Sequence, residues 1–244
     1  MDENENIYDK IREFFGNGAG NLNILEEQID VDVQLKYFDR SRKYKKNPDP
    51  GDAIALADNL FKEEINIERK KEILIKLASM EEVKAFRILQ SYMEERPDEL
   101  RDWTILALQE SKMLLESKLL DENQIFISTG LGGKGDKLRY FVVIIANREN
   151  EFNDFQKKII RQEFLYTLEK HESEVENFDF SENLATIMAI VPLDKPVKAV
   201  FEEAIEECNN YGDFIKNDFV ITNVKKLSFQ EINDFLEEKS RDRD

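Results

Sequence analysis

The sequence predicts an α+β protein: an all-α front half over residues 1–122 and a mixed strand-and-helix back half over residues 123–244. Three observations carry this. Up to Leu120 the apolar residues recur at helical spacing between very short connections. After it come runs rich in β-branched and aromatic residues. Those runs then alternate with two further amphipathic stretches, so strand and helix signals interleave only in the back half.

In the front half, Ile7, Ile11, Phe14 and Phe15 place a helix over residues 5–15, stopped by Gly16-Asn17-Gly18. Asn21 is positioned to cap a second helix containing Leu22, Leu25 and Ile29. Residues 31–38 alternate with period two at Val31, Val33, Leu35 and Tyr37, and read as either helix or extended connection. The sequence Asn47-Pro48-Asp49-Pro50-Gly51-Asp52 is a break, because two prolines and a glycine do not fit inside a regular element. Helices are expected after it over residues 53–61 (Ile54, Ala57, Leu60), 66–79 (Ile67, Ile73, Leu74, Leu77) and 81–95 (Val83, Phe86, Leu89, Met93). A last one is expected over residues 97–117, entered through Pro97, with Trp103, Leu106, Ala107, Met113 and Leu114 on its apolar side.

Amphipathic helices joined by such short turns pack as antiparallel neighbours. Residues 53–120, most visibly 68–95 followed by Asp98-Glu99-Leu100-Arg101-Asp102-Trp103, resemble HEAT-like helical repeats. Fewer than three repeats stand out, so a plain helical bundle is the alternative. The resemblance implies a surface for a protein partner and carries no implication of catalysis.

In the back half, residues 124–129 (QIFIST) and 138–146 (LRYFVVIIA) read as two strands of a hairpin around a glycine-rich turn. A helix follows over residues 153–171, a short strand over 178–180 and a central strand over 185–193 (ATIMAIVPL). Pro196 opens a helix reaching Asn209, residues 218–224 supply a last strand, and a terminal helix covers residues 228–239. There Ser228 and Glu231 have the spacing of a capping box. The order strand-helix-strand-strand-helix-strand resembles the ferredoxin-like fold, an α/β sandwich, with the 124–129 strand added at one edge. That fold hosts many functions and selects none.

Composition narrows the function classes. The chain carries 52 acidic and 35 basic residues, a net charge of −17. The deficit is shared, with 28 acidic against 19 basic residues through Asn123 and 24 against 16 after it. A field of that sign disfavours nucleic acid, whose binding depends on cations neutralising phosphates. The single cysteine, Cys208, excludes an internal disulfide framework and fits a reducing, cytoplasmic setting. The first residues lack the basic-then-apolar order of a secretory signal, and no apolar run approaches the roughly 18 residues that span a bilayer, so no membrane is expected.

Two clusters are candidate sites. The first is the loop of residues 130–137, with Gly130, Gly132, Gly133, Lys134, Gly135 and Lys137. Gly130, Gly132 and Gly135 match G-x-G-x-x-G, yet they lead into a strand, not the helix that a dinucleotide loop requires. Ser128 and Gly135 break the Walker A pattern, and no His-Arg-Asp or Asp-Phe-Gly triplet supports a kinase loop. What remains is a hairpin tip or partner contact, with a small anionic ligand held by backbone N–H groups and the two lysines as the alternative. The second cluster is the basic run Arg40, Arg42, Lys43, Lys45 and Lys46, interleaved with Tyr37, Phe38 and Tyr44. Aromatic and basic residues mixed in this way can bind single-stranded nucleic acid, but in a chain of net charge −17 the run is expected to meet acidic surface on this chain or a partner.

Other chemistry-bearing residues have plainer readings. His171, the only histidine, ends a helix, where a cation favours the terminal carbonyls. Cys208 shares a helix face with Ala204 and Ile205 and reads as a small buried side chain. Glu202, Glu203, Glu206 and Glu207 have carboxylate spacing suited to a metal, but no accompanying histidine or Asp-rich loop, and read as a solvated face. No acid/base set, cofactor or metal site is assembled. The expected function is that of a non-enzymatic cytoplasmic interaction or regulatory protein, with the helical half as docking surface and the ferredoxin-like half binding a partner or ligand. The alternative is a small-molecule sensor holding an anionic metabolite at residues 130–137.

Overall fold

The computed structural model describes residues 22–48, 53–95, 100–121, 124–147 and 151–241. The expected helix over residues 5–15, the stretch Asp49 to Asp52 and Pro97 lie outside them. The chain is mixed α+β and forms two compact units, one of residues 22–25 with Ile29–Ile127, the other of Glu26–Gln28 with residues 128–241.

The first unit begins with β1 (Leu22–Ile24) and α1 (Val31–Lys46). The helix expected around Leu22 is therefore a strand, and the unit is not all-α. Residues 31–38 resolve as helix because the buried face is Gln34, Tyr37 and Ser41, at spacings of three and four, while Leu35 is 62% exposed. Asp30 caps α1 by accepting a bond from the Asp32 N–H at 2.8 Å. Gln34 is admitted to the interior because its Nε2 donates to the Ile29 carbonyl at 2.8 Å. The helix expected over residues 53–61 is a set of turns leading into a short 3₁₀ helix (Ala57–Leu60).

Next come α2 (Ile67–Ala78), α3 (Val83–Glu95) and α4 (Arg101–Leu120). Asn66 caps α2 through the Arg69 N–H at 2.8 Å. These helices share one core in which Tyr37, Ile73, Leu74, Leu77, Leu89, Tyr92 and Leu106 are almost wholly buried. Tyr37 meets Trp103 edge-on, with ring centres 5.2 Å apart.

The strand β2 (Ile125–Ile127) closes this unit by pairing in parallel with β1, Leu22 opposite Ile125 and Ile24 opposite Ile127. This corrects the expectation for residues 124–129. They form no hairpin with the following strand and add no edge to the larger sheet. The strand character was visible in Ile125, Phe126 and Ile127, whereas their partner lies about a hundred residues earlier.

In the second unit the hairpin is made instead by β3 (Gly133–Lys134) and β4 (Lys137–Ile145). Then follow α5 (Asp154–Lys170), β5 (Glu174–Ser181), β6 (Leu184–Pro192), α6 (Val197–Asn209), β7 (Val220–Thr222) and α7 (Phe229–Arg241). The sheet is antiparallel throughout, with β3 and β7 both on β4, β4 on β6 and β6 on β5.

Alternation along β4 explains its unbroken apolar run. Val142 and Ile144 join a core with Ile160, Phe164 and Leu168 of α5 and Phe201, Ala204 and Ile205 of α6. Phe141, Val143 and Ile145 face the other way, in a core with Ile232 of α7, against which Leu236 also packs. A strand covered on both faces has no reason to alternate polar residues.

Candidate functional site

The glycine loop is a structural clasp within its unit. Gly132 and Gly135 have positive φ, +67° and +61°, which glycine adopts without steric cost. The loop closes on the strip Glu26–Gln28. The Gly133 N–H donates to the Glu26 carbonyl at 3.3 Å, and the Gly135 N–H donates to Glu26 Oε1 at 3.0 Å. Arg139 donates to the Leu131 carbonyl at 2.7 Å and holds both oxygens of Glu176, at 2.6 and 3.0 Å.

The two loop lysines are likewise engaged. Lys134 pairs with Glu174 at 2.9 Å, and Lys137 reaches the same carboxylate at 3.2 Å and the Glu172 carbonyl at 2.7 Å. The hydrogen bond to Glu174, then its charge, raises the Lys134 pKa, while Lys134 and Lys137 hold Glu174 below the usual carboxylate range. Within residues 130–137 the Gly133 amide is thus held by a backbone carbonyl, and the Gly135 amide and both lysines by carboxylates, all of this unit.

The basic run lies elsewhere in the fold and is differently used. Arg40 pairs with Glu68 at 2.6 Å and stacks over Trp103, its guanidinium 5.6 Å from the ring centre. Lys43 pairs with Asp39 at 2.7 Å, one turn away on α1. Lys45 pairs with Glu110 at 2.6 Å. Among the described residues Arg42 and Lys46 make no salt bridge.

Arg42, Lys45 and Lys46 border a groove of about 640 Å³. Its walls are helical faces. Phe38, Ser41, Arg42, Lys45 and Lys46 come from α1 at spacings of three and four, and Leu106, Glu110, Met113, Leu114 and Ser117 come from α4 in the same rhythm. Gln124 and Phe126 complete it, and Phe38 meets Phe126 edge-on at 5.8 Å.

Glu110 anchors the wall between the helices. Its Oε2 accepts from the Tyr37 hydroxyl at 2.5 Å, and its Oε1 accepts from Ser41 Oγ at 2.5 Å and from Lys45. Burial first, then the Glu110 charge, pushes the Tyr37 hydroxyl well above its ordinary pKa, so it remains a donor. The groove therefore has an apolar floor, one carboxylate neutralised from within and three cations on one bank.

Sequence reasoning located the basic run but not the groove. Spacing places Met113 and Leu114 on an apolar side, and nothing local indicates that this side stays half open. Phe126 escapes the sequence reading because residues 124–129 read as a strand of the other sheet.

The remaining candidates take structural places in the second unit. His171 caps α5, its N–H bonding helix carbonyls, and its Nε2 lies 2.8 Å from Glu203. Lys170, then His171, holds Glu203 below the usual carboxylate range. Cys208 is fully buried, and burial pushes its thiol up to about 12. Among the described residues no group of three or more His, Cys, Asp or Glu side chains is arranged to hold a metal ion, and no helix is long and apolar enough to cross a membrane.

No family model matches the chain, and no curated protein matches it in sequence. Solved structures that resemble it include a REP-associated tyrosine transposase bound to a REP hairpin, at 10% identity and a TM-score of 0.32 over 41% of this chain. The chain spans 61% of that protein's length. A C-terminal segment of the alpha subunit of aIF2 from Pyrococcus abyssi is 13% identical, with a TM-score of 0.25, over 80% of this chain and 98% of that one. Likenesses this loose carry no argument about function.

Proposed function

We propose that this chain is a non-enzymatic, cytoplasmic interaction protein, and that its helical unit docks a protein partner in the groove between α1 and α4. The observation that carries the reading is the groove's make-up: half-buried Phe38, Met113, Leu114 and Phe126 beneath Arg42, Lys45 and Lys46. An apolar floor with a polar rim is the composition of a recognition surface. The finer architecture accords with this. The consecutive packing of α2, α3 and α4 supports a HEAT-like or bundle arrangement that offers its outer faces to partners. The order β7-β4-β6-β5, with α5 and α6 on one face, supports a ferredoxin-like sandwich for the second unit. The single buried cysteine supports a reducing compartment.

The test places a photo-cross-linking side chain at Met113 in the full chain, with exposed Glu202 of α6 as the control position, in the cells that make the protein. A discrete product formed from position 113 alone is expected. The purified partner should then bind the wild type and lose affinity for Met113→Glu. Identical products from both positions, or none from 113, would overturn the assignment.

A further inference from the structure

We infer that the groove receives an acidic amphipathic helix, about three turns long, presented by the partner protein. The inference rests on the docking reading above and adds the chemistry of the occupant.

Length comes from α4. The groove follows this helix from Leu106 to Ser117, a rise of about 17 Å, which is three turns. The stripe also continues. Leu120 follows Ser117 by three positions and is 52% exposed. An apolar track of this length, bordered by two helices, matches the apolar stripe of a third helix laid along it.

Charge selects the sign of the occupant. α1 carries six basic residues against two acidic ones, and Arg42, Lys45 and Lys46 fall on the groove side within little more than one turn. Lys45 is spent on Glu110, whereas among the described residues Arg42 and Lys46 make no salt bridge, Arg42 only adding its charge to that of Lys43 beside Asp39. In a chain of net charge −17 these two are a local positive site that attracts carboxylates and rejects a basic helix. Glu110 does not oppose this, because Tyr37, Ser41 and Lys45 already satisfy its oxygens. The apolar floor and one-sided charge do not suit a phosphate backbone, which calls for cations along its length.

The experiment uses a fluorescent designed helix of about 14 residues, with leucines at helical spacing and glutamates flanking them, and a twin in which lysine replaces each glutamate. Fluorescence anisotropy is measured on the full-length wild type, on R42E/K46E, whose changed side chains are exposed, and on M113E. Circular dichroism confirms the fold of each. The wild type should bind the glutamate helix in the micromolar range and the lysine helix at least tenfold more weakly, with binding weakened by salt. R42E/K46E should reverse that preference, and M113E should weaken both.

Equal binding of the two helices, no binding of either, or a preference unchanged in R42E/K46E would overturn the inference. So would self-association of the wild type in sedimentation that M113E abolishes, because the occupant would then be a second copy. If position 113 cross-links a partner through a basic or non-helical segment, the occupant's chemistry is wrong while the docking reading stands.

Discussion

A Cβ placed on Gly132 would stand 2.4 Å from the carbonyl oxygen of Glu26 and 2.5 Å from that of Glu27. Both neighbours are backbone atoms, so neither can swing aside. Gly132 also has a φ of +67°, whereas Gly135, at +61°, has nothing within 4 Å of a Cβ. The two glycines separate close approach from backbone conformation. Gly132→Ala should destabilise its unit by about 3 kcal/mol or more, and Gly135→Ala by only about 1 kcal/mol, the left-handed cost alone. Urea unfolding of the two variants measures the difference. Equal costs would mean that the clasp on Glu26 is looser than described.

Tyr37 and Glu110 tie α1 to α4 beside the groove. Tyr37→Phe removes one donor and should cost about 1–2 kcal/mol, while Glu110→Ala strands the Tyr37 and Ser41 hydroxyls and should cost about 2–4 kcal/mol. The double variant should lose less than the sum, with a coupling of at least about 1 kcal/mol. Additive losses would show that the bond contributes nothing beyond solvation. Absorbance titration should find no Tyr37 ionisation in the folded protein near the ordinary tyrosine value of 10.0, because burial raises its pKa.

Elements whose causes are local were legible in the sequence. Apolar spacing places helices over residues 66–79 and 153–171, and the structure forms them over 67–78 and 154–170, where Asn66 and Asn153 each bond the N–H three residues on. Elements whose causes are distant were not. Leu22 becomes a strand only because Ile125 lies beside it, and residues 125–127 find their partner there instead of across the glycine turn. The face that α1 buries includes Gln34 and Ser41, which an apolar pattern overlooks.

The glycine motif was visible, but its partner Glu26 lies 109 positions from Gly135. The basic run was visible as well. That Arg42 and Lys46 border an apolar groove depends on the packing of α1 against α4, which spacing along one helix does not encode.

Cys208 tests the interior of the second unit. Its thiol is fully buried, and burial first, then the charges of Glu163 and Glu207, raises its pKa to about 12. The thiolate is the reactive form, so a disulfide reagent at pH 8 should label the folded protein far more slowly than the urea-unfolded chain. Comparable labelling rates would place Cys208 at an accessible surface. Cys208→Ala should cost about 1–2 kcal/mol, as a modest cavity does.

Glu231 should make the start of α7 sensitive to acid. Its carboxylate pairs with Lys225 and accepts from both the Ser228 N–H and hydroxyl at 2.9 Å, while its own N–H donates to Ser228 Oγ at 3.3 Å. The Lys225 bond, then the two Ser228 donors, lowers its pKa from 4.5 to about 2. A carboxyl whose folded pKa lies below its unfolded one stabilises fully above the unfolded value, and that contribution disappears as pH falls through the folded value. The window here runs from about pH 4.5 down to about pH 2. Because the site is exposed, solvent screening keeps the effect local to the helix terminus. The Ser228 amide resonance should titrate near pH 2, and the amides that follow it in α7 should lose hydrogen-exchange protection over the same range. Glu231→Gln should abolish both dependences. A Ser228 midpoint near 4.5 would show that the capping box does not hold the carboxylate.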